Sequence, residues 1–266
     1  MTILIFFILG LIIGSFLNVV VYRLKVAESI AHGRSHCPEC RKPIKWYDNI
    51  PLLSFILLRF RCRYCRKKIS WKYPLVEFFT GLLFAAVGYK YFIASDSATW
   101  ITTLYYLGAI SFLAVIFVYD FLYMEISDLV LWPAVAWAVA FGLYIDWTKI
   151  GSNNVILNSQ IYSGVLAAFA AFAIFFLLVA VSKEKWMGMG DAYLVILLGL
   201  ILGWPNIILA LFLAFMIGAI VGLVLIAGKK KKMESRIPFA PFLILGALIT
   251  LFFYAPIVNW YFGLFY

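Results

Sequence analysis

Asp191 closes the stretch Gly188-Met189-Gly190-Asp191 and opens the apolar run Ala192 to Leu202. An ionisable side chain at the edge or interior of a bilayer is disfavoured by roughly 3 kcal/mol or more, so an acid in this position is a candidate for function. The plain alternative is an acid in the first turn of a helix, meeting free N–H groups and the positive end of the dipole. A second acid shifts the balance toward chemistry. Asp120 ends another apolar run at Val118-Tyr119, with Glu125 and Asp128 just behind it, and no Lys or Arg occurs between residues 91 and 148 to neutralise these three. Two carboxylates in a partly dry site can divide the labour of peptide hydrolysis, one activating water as a base while the other, protonated, polarises the carbonyl or serves the leaving amine. Intramembrane acids also relay protons in transporters. Spacing alone leaves both readings open, although the lack of an internal repeat and of paired broken helices counts against transport.

A different chemistry is written between residues 23 and 73. Cys37-Pro-Glu-Cys40 and Cys62-Arg-Tyr-Cys65 are two CxxC knuckles 21 residues apart, a spacing suited to four thiolates around one tetrahedral Zn²⁺. Four thiolates leave no open coordination position, so such a zinc is structural. Paired disulfides are the alternative, disfavoured in a reducing compartment. His32 and His36 are substitute ligands or simply exposed.

The rest of the chain must position these groups. It has 266 residues, 65% hydrophobic and 13% charged, which excludes a soluble fold and predicts an all-α polytopic membrane protein. Runs of about 20 apolar residues are needed to cross the hydrocarbon. Eight candidates lie at 2–22, 74–94, 100–119, 129–147, 159–182, 190–203, 206–228 and 239–264. The first lacks a basic leader region and a cleavage site, so it reads as a retained helix. The sequence therefore divides into a first transmembrane helix (1–22), a loop carrying the four-cysteine zinc site (23–73) and a seven-helix domain (74–266).

The loops 23–73, 183–189 and 229–238 hold 20 of the 22 Lys and Arg residues. The positive-inside rule then puts both termini outside and the zinc loop, Asp120 and Asp191 on the cytoplasmic side. The net charge of +10 lies in these loops, which points to anionic lipid headgroups as neighbours and to no nucleic-acid partner. The apolar piece Asn49 to Leu58 is too short to span and lies at the interface or against the bundle.

In the first helix Gly10, Gly14, Asn18 and Tyr22 recur at steps of four and define one inward face, with the glycines suited to close helix contact. Glu77 follows Pro74 into the second long helix, either as a first-turn acid or as a neighbour of the active site. The run beginning at Asp191 rises only about 20 Å, which recesses Asp191 into a cavity, while Gly188 and Gly190 let a substrate backbone come close. Arg236-Ile-Pro238-Phe-Ala-Pro241 is either a plain turn into the last helix or an irregular, strand-like wall beside the site.

In this order the motifs resemble those of the bacterial type IV prepilin peptidases, membrane aspartyl proteases of the GxGD type. The resemblance runs through Gly14 to Arg23, the twin CxxC loop, Tyr73-Pro-Leu-Val-Glu77, Asp120, Gly188-Met-Gly-Asp191 and Pro238-Phe-Ala-Pro241. It implies Asp120 and Asp191 as the catalytic pair, with Asp128 an accessory acid. It further implies removal of the basic leader from prepilins or pseudopilins at the cytoplasmic face of the bacterial inner membrane. Many such enzymes also methylate the new N-terminal amine from S-adenosylmethionine; no binding motif for that donor is readable in the residues. Two positions depart from the pattern: Ser127 replaces a proline before Asp128, and Tyr193 replaces a lysine two residues after Asp191.

The zinc loop counts 13 basic and 3 acidic residues, so it repels a basic leader and is expected to hold instead to anionic lipid through Arg63, Arg66, Lys67 and Lys68.

Overall fold

The computed structural model describes residues 1–30, 32–92, 97–148, 159–228 and 237–263. Among the described residues the regular structure is helical: α1 (Thr2–Val26), α2 (Leu53–Leu57), α3 (Lys72–Tyr91), α4 (Ser97–Tyr123), α5 (Asp128–Thr148), α6 (Gln160–Ser182), α7 (Met189–Leu202), α8 (Asn206–Ala227) and α9 (Ala240–Phe262). Each of the eight expected apolar runs is a helix. Six of them, α1, α4, α5, α6, α8 and α9, are long and apolar enough to cross a membrane. The basic residues Lys229 to Lys232 and Arg236 lie outside the described residues.

One boundary differs in a way that matters. The sequence ends the third run at residue 119, where its apolar character stops, yet the helix continues to Tyr123 and the Met124 N–H closes on the Asp120 carbonyl at 2.8 Å. Backbone hydrogen bonding, which ignores side-chain polarity, carries Asp120 inside the last turn of α4 rather than past its end.

The chain divides into two compact units, Met1–Val118 and Tyr119–Tyr266. In the first, α1 packs along α3. Gly10 and Gly14 are both buried on the face expected of them. A Cβ at Gly10 would stand 2.7 Å from the Gly81 Cα, and one at Gly14 2.8 Å from the Glu77 Cα. The helices therefore touch through backbone, the arrangement that van der Waals packing favours where lipid removes the hydrophobic incentive. Asn18 ties the same pair at the loop end, donating to the Tyr73 carbonyl at 3.0 Å.

Arg23 organises the start of the loop after α1. It is buried, and its guanidinium donates to the carbonyls of Ser29, Ile30, His32 and Gly33 at 2.8 to 3.1 Å. A planar fork of donors gathers carbonyls in this way, and an ammonium cannot. The short apolar piece becomes a 3-10 turn at Trp46–Asn49 and then α2. Phe55 of α2 is buried against Phe60 and Trp71, with ring centroids 4.8 and 5.0 Å away.

In the second unit α7 is the central element, packed against α5, α6, α8 and α9. From Leu194 onward nearly every residue of α7 is buried, which is why a helix apolar on all sides fits here. Gly199 lets the backbone of α7 meet that of α6 at Ala168, and Gly246 does the same for α9 against α8 at Ala210 and Ala214. The N-terminus of α6 is capped twice. Asp146 accepts from the Gln160 and Ile161 N–H groups at 2.7 and 2.9 Å, and the Ser159 hydroxyl accepts from the Tyr162 N–H at 3.0 Å. Pro241 sits in the first turn of α9, so the described part of the Pro238 to Pro241 motif is the plain helix-initiating turn and not a strand-like wall. Farther on, α9 bends at Phe253, three residues before Pro256.

Candidate active site and metal centre

Asp120 is only 5% exposed, and its Oδ2 has no hydrogen-bond partner among the described residues. A buried carboxylate oxygen left without a donor is costly, and native folds keep such atoms where chemistry needs them. Asp191 stands half-buried in the first turn of α7, after Gly188 in extended backbone (φ −81°, ψ 158°). Its carboxyl lies within reach of the Asp120 charge. The two acids singled out in the sequence, 71 residues apart in the chain, thus converge at helix ends of one unit.

The segments that carry them also touch. A Cβ on Gly190 would meet Ile126 at 3.4 Å, so the turn after α4 rests on the glycine before Asp191. Met124 enters that turn in the left-handed region (φ 54°). The Ser127 main-chain carbonyl then accepts the N–H groups of Val130 and Leu131 at 3.0 Å. Ser127 directly precedes Asp128, the first residue of α5. Asp128 begins α5 and is exposed, as is Glu125. Gly188 is open, with nothing within 4 Å of a Cβ built on it.

Tyr193 accounts for the other departure. Two residues along a helix is about 200° of rotation, which turns Tyr193 away from the Asp191 side. There it meets Trp132 of α5 and Phe172 of α6, with ring centroids 5.8 and 6.3 Å away. It packs helices together.

The four cysteines gather as their spacing predicts, with all Sγ atoms within 4.8 Å of one another and Cys37 Sγ 3.9 Å from Cys65 Sγ. They are placed to hold one metal ion. Each knuckle repeats the other atom for atom. The Cys37 N–H donates to the Lys42 carbonyl and the Arg41 N–H to the Cys37 carbonyl, at 3.0 and 2.8 Å; Cys62, Lys67 and Arg66 do the same at 2.9 and 3.1 Å. Arg41 and Arg66 both take left-handed backbone, and the bridges His36 to Pro43 and Arg61 to Lys68 close the two turns. This is an internal repeat that the sequence reading missed. Its signal was present in the flanks: Cys-x-x-Cys-Arg-Lys-x-Ile occurs at 37–44 and again at 62–69.

Burial raises the Cys37 thiol to about 11. Cys62 is also burdened by burial but is brought down to about 7 by the backbone N–H groups of Cys65 and Tyr64. His36 is not among the sulfur ligands; its ring sits edge-on to Tyr22, with Nε2 3.5 Å from the hydroxyl. His32 contributes its carbonyl to Arg23.

Glu77 lies in the first unit. Its Oε2 accepts the Leu52 N–H at 2.9 Å, and Leu52 is held at φ 58° and ψ −47°. Sequence reasoning could not find that partner, which is 25 residues away across the zinc loop.

Helices long and apolar enough to cross a membrane define a polytopic membrane protein, and two acids stand at helix ends within its second unit. Comparison with known proteins narrows the class. Residues 106–223 match the type IV leader peptidase family, and residues 8–91 match the bacterial peptidase A24 N-terminal domain. The chain belongs to the type IV leader peptidase family. It is 32% identical to a prepilin leader peptidase/N-methyltransferase of Aeromonas hydrophila, covering 96% of this chain and 92% of the relative. A protein of the same description from Myxococcus xanthus is 34% identical over 83% of this chain and 62% of its own length. A type 4 prepilin-like proteins leader peptide-processing enzyme of Escherichia coli is 33% identical over 92% of each chain. No solved structure matches.

Proposed function

We propose that this protein is an aspartyl endopeptidase of the bacterial inner membrane, which removes the basic leader of prepilins or pseudopilins and methylates the new N-terminal amine from S-adenosylmethionine. The observation that carries the peptidase half is the Asp120 carboxyl, buried with an unpartnered oxygen and within reach of the Asp191 charge. In the reaction one carboxylate takes a proton from water, whose oxygen attacks the scissile carbonyl carbon, while the other carboxyl, protonated, donates to the carbonyl oxygen. Collapse of the tetrahedral species breaks the C–N bond, and the amine leaves with a proton from the pair. Gly188 supplies backbone without a side chain where the substrate strand passes, whereas Gly190, which the sequence pairs with it, is taken up by contact with Ile126; Asp128 serves as an accessory acid at the start of α5.

The names of the relatives support both halves of this reading, and none supports a proton-coupled transporter. Charge asymmetry supports a multi-pass topology with both termini outside and the site toward the cytoplasm. The metal is zinc, held by Cys37, Cys40, Cys62 and Cys65, and it fixes the fold of the 23–73 loop without entering the reaction. The 74–266 segment carries the peptidase. Anionic lipid is the neighbour of the loop, supported by exposed Ile56 and Leu57 on α2 beside the basic residues. The lipid-facing charges are Arg66 and Lys68, because Arg63 forks onto Asp48 at 2.6 Å and Lys67 pairs with Glu39.

The test is mass spectrometry of a prepilin incubated with the purified protein, with and without S-adenosylmethionine. Wild type removes the leader and adds one methyl group; Asp120→Asn and Asp191→Asn remove nothing. Leader removal by either variant at the wild-type rate would refute the catalytic pair.

A further inference from the structure

Asp120, Glu125 and Asp128 fall on one stretch of the second unit, with no Lys or Arg between residues 91 and 148. Two of them have uses. Asp120 belongs to the proposed catalytic pair, and Asp128 stands in the first turn of α5, where the positive end of the helix dipole favours a carboxylate. Glu125 has neither advantage. It is exposed two residues past Tyr123, the last residue of α4, at the helix end that favours cations instead. Among the described residues it makes no ion pair.

A second group beside it is also unmet. The Tyr119 side chain is only 7% exposed. Its hydroxyl lies within reach of the Glu125 charge and of Tyr123, yet has no hydrogen-bond partner among the described residues. A buried polar group left without a partner is costly, and such groups stand where a ligand or chemistry needs them. The Tyr123 ring stands edge-on to that of Tyr119, with centroids 4.9 Å apart. A carboxylate, a hydroxyl oxygen and an aromatic ring together are what receives a Lys ammonium or an Arg guanidinium: an opposite charge, a further acceptor and the negative face of a π system. The turn that carries Glu125 is fixed against the two aspartates. Met124, just before it, closes its N–H on the Asp120 carbonyl at 2.8 Å, and Ile126, just after it, lies 3.4 Å from a Cβ built on Gly190.

We propose that Glu125, with Tyr119 and Tyr123, forms a subsite that takes a Lys or Arg side chain of the substrate's leader and so selects basic leaders for cleavage. The inference rests on the peptidase half of the function proposed above and adds a specificity-determining residue to it; Glu125 takes no part in breaking the bond. Its place along the chain sets which leader residue it reads. Five residues separate Glu125 from Asp120, about 7.5 Å of helical rise, and an extended peptide covers that distance in about two residues. With the length of its own side chain added, the basic residue stands about two to four positions before the scissile bond.

The experiment measures kcat and KM for leader removal by the full-length protein in detergent, on a prepilin with its basic leader and on one whose basic residues nearest the cleavage site are replaced by Gln. Glu125→Gln should raise KM for the basic leader about fivefold, the worth of an exposed ion pair with a ring contact beside it, and should raise KM more than it lowers kcat. On the Gln leader the same substitution should change kcat/KM less than twofold, because the lost charge has no partner there. Glu125→Lys should weaken the basic leader further and should cleave a leader carrying Glu at that position better than wild type does. A merely structural role for Glu125 would not produce that exchange of preference. Equal KM of wild type and Glu125→Gln for the basic leader, or the same loss on both leaders, would overturn the subsite and leave the peptidase reading intact. Wild type that cleaves neither leader would refute that reading, and the proposal with it.

Discussion

Replacing Gly188 by alanine separates the demands of the fold from those of the substrate. The backbone there is extended, at φ −81° and ψ 158°, a region open to any L-residue. The added methyl group meets no atom within 4 Å. The fold should therefore lose only the difference between glycine and alanine at an N-cap, about 0.5–1 kcal/mol, a fall in Tm of a few degrees at most for a chain of this size. Cleavage should respond more strongly. If the scissile strand passes over Gly188 to reach Asp191, the methyl pushes it back by about 1 Å, and a misplacement of that size costs on the order of 100-fold in rate. That is about 2.7 kcal/mol of transition-state stabilisation, read as kcat/KM. The assay is the initial rate of leader removal at substrate concentrations below KM, paired with thermal unfolding of the same preparation. Gly188→Ala with kcat/KM within threefold of wild type would show that the substrate does not pass there. A large fall in Tm would show that the open space is not open.

The packing and the metal centre give two more expected outcomes. Gly10→Ala must separate α1 from α3, because its Cβ stands 2.7 Å from backbone and ordinary contact begins at 3.4 Å; the cost is about 1–3 kcal/mol. Gly222→Ala in α8, with nothing within 4 Å of its Cβ, should be neutral or gain up to about 1 kcal/mol. Denaturant titration in mixed micelles distinguishes the two, and equal stabilities would refute the contact argument. Metal analysis should find one zinc per chain in wild type and none in a Cys37→Ser, Cys62→Ser double variant. Zinc retention should fall as pH falls, since each thiolate ligand must be deprotonated to bind and protons compete from below. Retention independent of pH between about 7 and 5 would argue against a thiolate site.

The parts of this protein that are legible in its sequence are those written by local rules. Apolar runs of spanning length become helices because lipid forces a backbone to satisfy itself within the segment. The two CxxC pairs converge because thiolate geometry allows few other uses of that spacing. What stays hidden depends on distance along the chain. Glu77 reads as a helix-opening acid until Leu52 is seen at its oxygen. Tyr193 reads as a missing cation until the helix turns it toward Trp132 and Phe172. Asp120 reads as lying past the end of its helix because its charge ends the apolar run, whereas the hydrogen bonds of the backbone run on to Tyr123. The knuckle repeat escapes for a simpler reason: matching the cysteines alone passes over the flanking Arg-Lys-x-Ile.

The backbone contact between α6 and α7 has a mechanical consequence. Where Gly199 meets Ala168 and Gly164 meets Leu200, no layer of side chains remains to slide or deform, so the hairpin behaves as one stiff rod made of two helices. Asp191 rides at its end, eight residues and about 12 Å from Gly199. A stiff rod in a bilayer keeps one soft degree of freedom, its tilt, and tilt follows the match between apolar length and hydrocarbon thickness. Lipid acyl length is thereby expected to act on the position of the Asp191 carboxyl without touching it.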